Sequence, residues 1–296
     1  MAQYRKIRGR ITGVQNTAKI TQAMKMVAAA KLRRAQDGIE SARPYAEKLS
    51  EILSHLAGAV EPGISPFFEE RETNRVCIIV VAADRGLCGP FNSNVIKAVE
   101  NLARSRFAEQ QAAGNLDLIC VGKRAVDYFS SRPYNVVDAY PGVFGDLEFS
   151  TAQNVVQIAS NGFLDGSYDR VELVYNEFKS IIRQETAVRQ FLPVESISDG
   201  ASEKTESGYN LEYIFEPSSV ALLNALMPKH LNTQLWNALL ESNAAEQGAR
   251  MTAMDNATNN ARDLARDLKL EYNKARQAAI TTEILEIVSG ANALEG

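Results

Sequence analysis

The stretch Ile7-Arg8-Gly9-Arg10-Ile11-Thr12-Gly13-Val14-Gln15-Asn16-Thr17-Ala18-Lys19-Ile20-Thr21-Gln22-Ala23-Met24-Lys25 places Ile7, Ile11, Val14, Ala18, Thr21 and Lys25 at alternating steps of four and three. The rhythm continues through Ala28, Leu32, Ala35, Ile39, Ala42, Ala46, Leu49, Leu53 and Leu56. Residues so spaced share one narrow stripe of an α-helix, and a stripe kept this long is a heptad seam rather than the face of a surface helix. Thr21 and Lys25 break it with polar side chains. At about 1.5 Å per residue the helix would run on the order of 80 Å, several times the usual globular length. Pro44 is where a bend is expected.

A heptad seam needs a partner, and the other end of the chain supplies one. No proline follows Pro228, and Gly248 is the lone glycine from Lys229 to Ser289. Its seam reads Leu235, Leu239, Ser242, Ala245, Ala249, Ala253, Asn256, Asn260, Leu264 and Leu268. This run is less regular and richer in small side chains, which lets two backbones approach closely. The chain returns after about 170 intervening residues, so the two helices are expected to pair antiparallel with the middle segment as a domain. Pairing between two chains is an alternative that the pattern leaves open.

The middle alternates strand and helix signals, the rhythm of an α/β domain. Strands are predicted at Val76–Ala83, Leu116–Val121, Asn135–Ala139, Arg170–Phe178 and Glu185–Leu192, with an edge strand at Tyr209–Phe215. Helices are predicted at Ser93–Gln111, Ala125–Ser131 and Thr151–Leu164, and Ile197–Gly208 reads as an exposed loop. The predicted fold is thus α/β, a long antiparallel coiled coil of the N- and C-terminal helices with a central Rossmann-like α/β domain. It divides into a helix over 1–57, the α/β domain over 74–216 and a second helix over 217–296.

The composition of 296 residues, 45% hydrophobic and 23% charged, suits a chain with a sizeable core. No stretch of about 18 apolar residues occurs, and the opening has no apolar signal core. The three cysteines, Cys77, Cys88 and Cys120, have no metal-ligand spacing and fit a reducing compartment. The net charge of −4 hides an asymmetry: Met1 to Gln36 holds Arg5, Lys6, Arg8, Arg10, Lys19, Lys25, Lys31, Arg33 and Arg34 and no acid. A removable presequence, a nucleic-acid or lipid patch, and a basic helix set into an acidic protein surface all fit that run. The unbroken periodicity through it speaks against a presequence.

Asp84-Arg85-Gly86-Leu87-Cys88-Gly89-Pro90-Phe91-Asn92 sits between a strand and a helix, where doubly wound proteins place phosphate loops. It matches neither the dinucleotide fingerprint nor the P-loop, so a tight strand-to-helix turn is the reading preferred over a nucleotide site. Cys88 beside Arg85 could be a lowered-pKa thiol, but no histidine is near in sequence, and a packed small residue is preferred. Farther on, Arg276, Gln277, Ile280 and Thr281 share one helical face, either a solvated polar face or one that grips a carboxylate-bearing loop.

Three separated tracts carry a resemblance. Val14 to Leu32, Asp84 to Gly89, and Ala249 to Met254 with Asn273–Thr281 and Glu286-Ile287-Val288-Ser289-Gly290, in this order, closely resemble the gamma subunit of rotary F-type ATP synthases across essentially the whole chain. The resemblance implies an α/β foot on an antiparallel coiled coil. It further implies a non-catalytic central stalk without a cofactor, turning inside a ring of three alpha and three beta subunits. The stalk would stand, with epsilon, on the proteolipid c-ring, peripheral to the membrane and without a nucleic-acid partner. Arg276, Gln277 and Thr281 match positions that hydrogen-bond a catch loop of beta. Met24 and Lys25, with the basic run at Arg8, Arg10, Arg33 and Arg34, match the region facing the ring and its acidic lever loops. Arg85 and Cys88 match a motif approaching the same part of beta, and Tyr209 and Tyr213 fall where the foot meets epsilon and the rotor ring. The short, cysteine-free Ile197–Gly208 differs from the chloroplast form, so no thiol switch is expected. The absence of a transit peptide implies a bacterial protein on the cytoplasmic face. A coiled-coil-tethered enzyme acting through Asp84–Asn92 and a nucleic-acid-binding arm are the competing readings.

Overall fold

The computed structural model describes residues 2–58, 65–194, 216 and 218–295. The elements are α1 (Ala2–Gly58), β1 (Val76–Val81), α2 (Phe91–Ser105), α3 (Ala108–Ala112), β2 (Leu116–Val121), α4 (Lys123–Phe129), β3 (Asn135–Tyr140), α5 (Phe149–Leu164), β4 (Arg170–Phe178), β5 (Gln184–Leu192) and α6 (Ser219–Glu295). They form two compact units, one of residues 1–29 and 250–296, the other of residues 30–249. The expected strand Tyr209–Phe215 and loop Ile197–Gly208 lie outside the described residues.

In the unit of residues 30–249 the strands lie in the order β3-β2-β1-β4-β5, the first four parallel and β5 antiparallel to β4. β1 and β2 are buried at every position, the pattern of strands covered by helices on both faces. One face packs Val76, Ile78 and Val80 against α2 and α4 through Val95, Val99, Ala125 and Phe129. The other packs Cys77, Ile79 and Val81 with Leu53 and Leu56 of α1, with Val155 and Phe163 of α5, and with Met227, Leu231, Leu235 and Leu239 of α6.

The strand bounds Leu116–Val121 and Arg170–Phe178 are those read from the sequence. β1 ends two residues earlier than expected, at Val81, because its ladder partner β2 ends at Val121. The single helix expected over Ser93–Gln111 is two, α2 and α3, parted at Arg106 and Phe107, whose ring turns into the core. α1 passes through Pro44 and α6 through Pro228. Both prolines are exposed, where solvent can satisfy the carbonyl left without its helical donor.

Two residues fix the ends of the central strands. Asp84 accepts hydrogen bonds at Oδ1 from the N–H groups of Lys123 (2.8 Å) and Gly142 (2.7 Å), and at Oδ2 from Phe144 N–H (2.8 Å). One carboxylate thus ties the end of β1 to the start of α4 and to the loop after β3. Gly122 has φ +93, and a Cβ there would sit 1.8 Å from the Ala82 carbonyl oxygen. This position admits no side chain without moving the backbone.

In the unit of residues 1–29 and 250–296 the helices α1 and α6 run antiparallel. Ile7, Ile11, Val14, Ala18 and Lys25 are half-buried and Thr21 and Ala28 buried, so the N-terminal seam lies where the heptad places it. On α6 the expected seam through Asn256, Asn260 and Leu264 is corrected: all three are exposed, Leu264 by 45%. The packed residues are Met254, Thr258, Ala261, Ala265 and Leu268, followed by half-buried Tyr272, Ala275 and Ala279. Small side chains here bring the backbones together, and three polar ties set the register. Thr21 and Thr258 hydroxyls lie 2.7 Å apart, Lys25 Nζ lies 2.7 Å from Asp255, and Arg262 donates to Gln22 at 2.9 Å.

Gly122→Ala is expected to cost about 3 kcal/mol or more, seen as a lowered urea midpoint, whereas Gly145→Ala, with open space around it, leaves stability within about 0.5 kcal/mol of the parent's. In the coiled coil, Thr258→Leu is expected to be more destabilising than Thr258→Val despite leucine's greater hydrophobicity. Overpacking a close helix contact costs about 1–3 kcal/mol, against about 1 kcal/mol for a lost hydrogen bond. Equal midpoints for the two variants would contradict the close packing.

Candidate functional site

In the unit of residues 30–249 the turn after β1 projects from the end of the sheet. Asn92 organises it, accepting from Ala83 N–H at 2.9 Å and donating to the Arg85 carbonyl at 3.3 Å and to Cys88 Sγ at 3.2 Å. Arg85 is exposed at the crest. Cys88 is 1% exposed, enclosed with Ala83, Phe91, Ala245 and Ala249. This is the packed small-residue reading made from the sequence: Cys88 braces the turn from below, a small apolar group filling the gap against the alanines of α6. The other thiols are core groups, and burial pushes Cys77 well above the usual thiol range and Cys120 up to about 12, which leaves them protonated and unreactive. Asp84, the carboxylate nearest the turn, is committed to three backbone N–H groups.

Sequence reasoning passes over Leu87. It stands 66% exposed at φ +62, in the left-handed region that costs an ordinary side chain about 1 kcal/mol. The signal is there to be read, since a turn of this kind usually places glycine or asparagine at such a position. On α1 in the same unit, Arg33 and Arg34 are exposed and flank Leu32 and Ala35, which pack on Ala244.

In the unit of residues 1–29 and 250–296, Arg8 and Arg10 are exposed on α1. Met24 is half-buried, and Lys25 is held by Asp255 with 40% and 46% of the two side chains exposed. The polar interruption at Lys25 is thus matched by an acid that sequence reading does not pair with it. Arg276, Gln277 and Thr281 are exposed on one side of α6, and Thr281 Oγ1 donates to the Gln277 carbonyl at 3.0 Å. That bond uses the hydroxyl proton and leaves the oxygen as an acceptor. The Arg276 guanidinium and the Gln277 amide point outward beside it. From Ile280 onward α6 also exposes Ile284, Leu285, Ile287 and Val288. Apolar side chains this dense on a surface mark a protein-binding face. Tyr209 and Tyr213 lie outside the described residues. No helix among the described residues is long and apolar enough to cross a membrane.

Of the singled-out side chains, Arg8, Arg10, Arg33, Arg34, Arg85, Arg276, Gln277 and Thr281 are exposed on helix faces and a turn crest, the arrangement of a surface-presenting chain. A family model described as ATP synthase matches residues 3–294. The ATP synthase gamma chain of Chloroherpeton thalassium is 50% identical over 306 residues, covering 100% of this chain and 99% of that one. The gamma chain of Salinibacter ruber is 51% identical with the same coverage. Among solved structures, a chain of the central stalk and c-ring of Tetrahymena thermophila mitochondrial ATP synthase is 26% identical with a TM-score of 0.59, covering 80% of this chain and 99% of that one. A chain of Euglena gracilis mitochondrial ATP synthase shares the fold, with a TM-score of 0.69 at 20% identity over 99% of this chain and 94% of that one. The chain belongs to the gamma-chain family of ATP synthase.

The Lys25–Asp255 tie makes a specific prediction. Asp255→Lys is expected to lower stability by about 1 kcal/mol or less, since both groups are partly solvated, and the exchanged pair Lys25→Asp with Asp255→Lys to recover most of the loss in a double-mutant cycle. A cycle with no coupling would show that the two charges do not sense one another.

Proposed function

We propose that this chain is the rotor shaft of the central stalk, carrying torque between the membrane rotor ring and the catalytic ring of three alpha and three beta subunits without catalysing a reaction itself. The observation that carries this reading is the full-length family match. The antiparallel coiled coil with outward-facing Arg276, Gln277 and Thr281 beside exposed apolar residues of α6 supports it. A shaft that is not symmetric presents a different face to each beta subunit, so each catalytic site is biased toward a different conformation, and turning the shaft exchanges those biases.

In this reading Arg276 and Gln277 donate directed hydrogen bonds to a beta loop, and Thr281 offers an acceptor. Met24, Lys25 and Arg85 approach beta, Cys88 supports the turn that carries Arg85, and the basic side chains of Arg8, Arg10, Arg33 and Arg34 face acidic ring loops. Tyr209 and Tyr213 meet epsilon and the c-ring. The complex sits on the cytoplasmic face of a bacterial membrane, with this chain peripheral to it. The enzyme alternative would require Asp84 to give up three backbone hydrogen bonds to act as a base, and the nucleic-acid alternative predicts duplex binding that falls steeply with salt.

Co-expression with the alpha and beta subunits encoded alongside it, followed by native mass spectrometry and ATPase assay, tests the proposal. One copy of this chain per three alpha and three beta, with fast ATP hydrolysis dependent on it, is expected. A free monomer beside folded alpha and beta would refute it. In the assembled complex, Arg276→Ala or Gln277→Leu is expected to lower turnover by roughly fivefold, the effect of about 1 kcal/mol from one lost directed bond, with the melting temperature of the isolated chain unchanged. Normal turnover would remove these residues from the interface.

A further inference from the structure

We propose that a cavity beside β4 and β5 binds inorganic phosphate as a hydrogen-bearing ion, its P–OH donating to Glu172 and its other oxygens accepting from Arg106 and Arg170. The site lies within the unit of residues 30–249 and does not rest on the rotor-shaft reading. The cavity measures about 510 Å³ and is bounded by the start of β4, the end of β5, Arg106 just after α2, and His230 and Gln234 of α6. That size falls in the range of about 300–1,000 Å³ found for small-ligand sites.

Glu172 is the residue that the fold leaves unexplained. It stands in β4 between Ile78 of β1 and Gln190 of β5, in a run buried from Val171 to Asn176, and its side chain is 1% exposed. Two guanidinium groups meet it at the same oxygen: Arg170 Nε donates to Oε1 at 2.7 Å, and Arg106 Nη1 lies 3.0 Å from that atom. Oε2 is buried with no partner among the described residues. A structural arginine–carboxylate pair commonly engages both oxygens in a parallel fork, and a buried carboxylate oxygen left bare is costly. A hydrogen-bond donor therefore belongs at Oε2, and Glu172 lines the cavity that could hold one.

The other lining groups indicate that this donor is carried by an anion. Arg106, Arg170 and Arg189 border the cavity with Glu172 as its one lining carboxylate, and of the three only Arg189 is offset from outside the lining, by Glu177 at 3.3 Å. An excess of cation argues against a metal ion or an amine beside Oε2. Arg170 Nη2 also donates to Gln190, whose own amide donates to the Pro193 carbonyl at 2.6 Å. These bonds use a minority of the five N–H groups that each guanidinium carries, so Arg106 and Arg170 keep donors for a ligand. Burial pushes His230 below the usual histidine range, which keeps it neutral in the wall. An anion that also donates is a narrow class. Sulfate, carboxylates and the phosphodiesters of lipid and nucleic acid carry no proton at neutral pH, and a phosphomonoester, with a second pKa of about 6, has mostly lost its own. Bicarbonate keeps one but has two further oxygens and a single charge. Inorganic phosphate keeps a proton and presents at least two more acceptors at tetrahedral angles.

Calorimetric titration of the full chain at pH 8 and constant ionic strength tests the site with inorganic phosphate, sulfate, methyl phosphate and bicarbonate. One phosphate per chain is expected, bound at least about tenfold more tightly than the other three, the effect of one hydrogen bond to a charged group. The melting temperature of the chain should rise with phosphate and not with sulfate. Glu172→Gln replaces the bare acceptor with an amide that can donate, so sulfate should gain and the preference for phosphate fall to about twofold or less. Arg106→Gln, at a side chain 48% exposed, should weaken phosphate by about tenfold. No phosphate binding by the parent chain, sulfate or bicarbonate bound as tightly as phosphate, or an unchanged preference in Glu172→Gln would overturn the site. Should Glu172→Gln fail to fold, parental phosphate affinity in Arg106→Gln would overturn it instead.

Discussion

The contact between the Thr21 and Thr258 hydroxyls constrains the coiled coil more than any apolar pair in it. Each hydroxyl has one proton and also faces carbonyls of its own helix, Thr17 and Ala18 for one and Met254 for the other. One threonine therefore donates across the seam while the other donates to its own helix, and every proton is used. A slip of either helix by a heptad would set a buried hydroxyl against an aliphatic neighbour and forfeit the cross-helix bond. The neighbouring Lys25–Asp255 and Gln22–Arg262 ties would be lost in the same slip. An apolar seam of small residues gives closeness but little choice of register, and a polar pair inside it supplies that choice at some cost in stability.

The unit of residues 30–249 solves a related problem with different groups. There α6 lies against the sheet and α1 through Leu231, Leu235, Ala238 and Leu239 at one end, and through Ala244, Ala245 and Ala249 at the other. Large side chains fill the wide part of the layer, while alanines stand where the turn after β1 comes close. The ends of the parallel strands would otherwise splay, since parallel neighbours are joined by long crossovers rather than tight turns. Asp84 gathers three of those connections on one carboxylate, and Gly122 lets the next helix start within contact of the Ala82 carbonyl. The turn is a rigid mount, which explains why its crest can hold a leucine in an unfavourable backbone region.

Much of this is legible in the sequence because burial imposes periodicity. The seam from Ile7 to Leu56 and the strands Leu116–Val121 and Arg170–Phe178 follow from spacing alone. The α6 seam after Ala249 does not. Apolar Leu264 draws the register toward itself, while the packed positions are Ala261 and Ala265, whose small size is what the close approach requires. Hydropathy ranks leucine above alanine, and only the partner helix reveals which is wanted. Cys88 is legible as a packed small residue, but the α6 alanines that cover it lie far away in sequence and are not. The Asp255 partner of Lys25 is hidden for the same reason, being 230 residues distant.

The proposed docking residues are invisible to periodicity for a different physical cause. Arg276, Gln277 and Arg85 are exposed, and among the described residues their side chains bond to nothing that folds the chain, so no packing rule selects their identity. Family resemblance singles them out, and hydropathy cannot. Leu87 is a third case, since its left-handed backbone angle is one that an ordinary side chain seldom adopts. A residue that follows the folding rules is explained by the fold, and one to which those rules are indifferent can be found only by comparison.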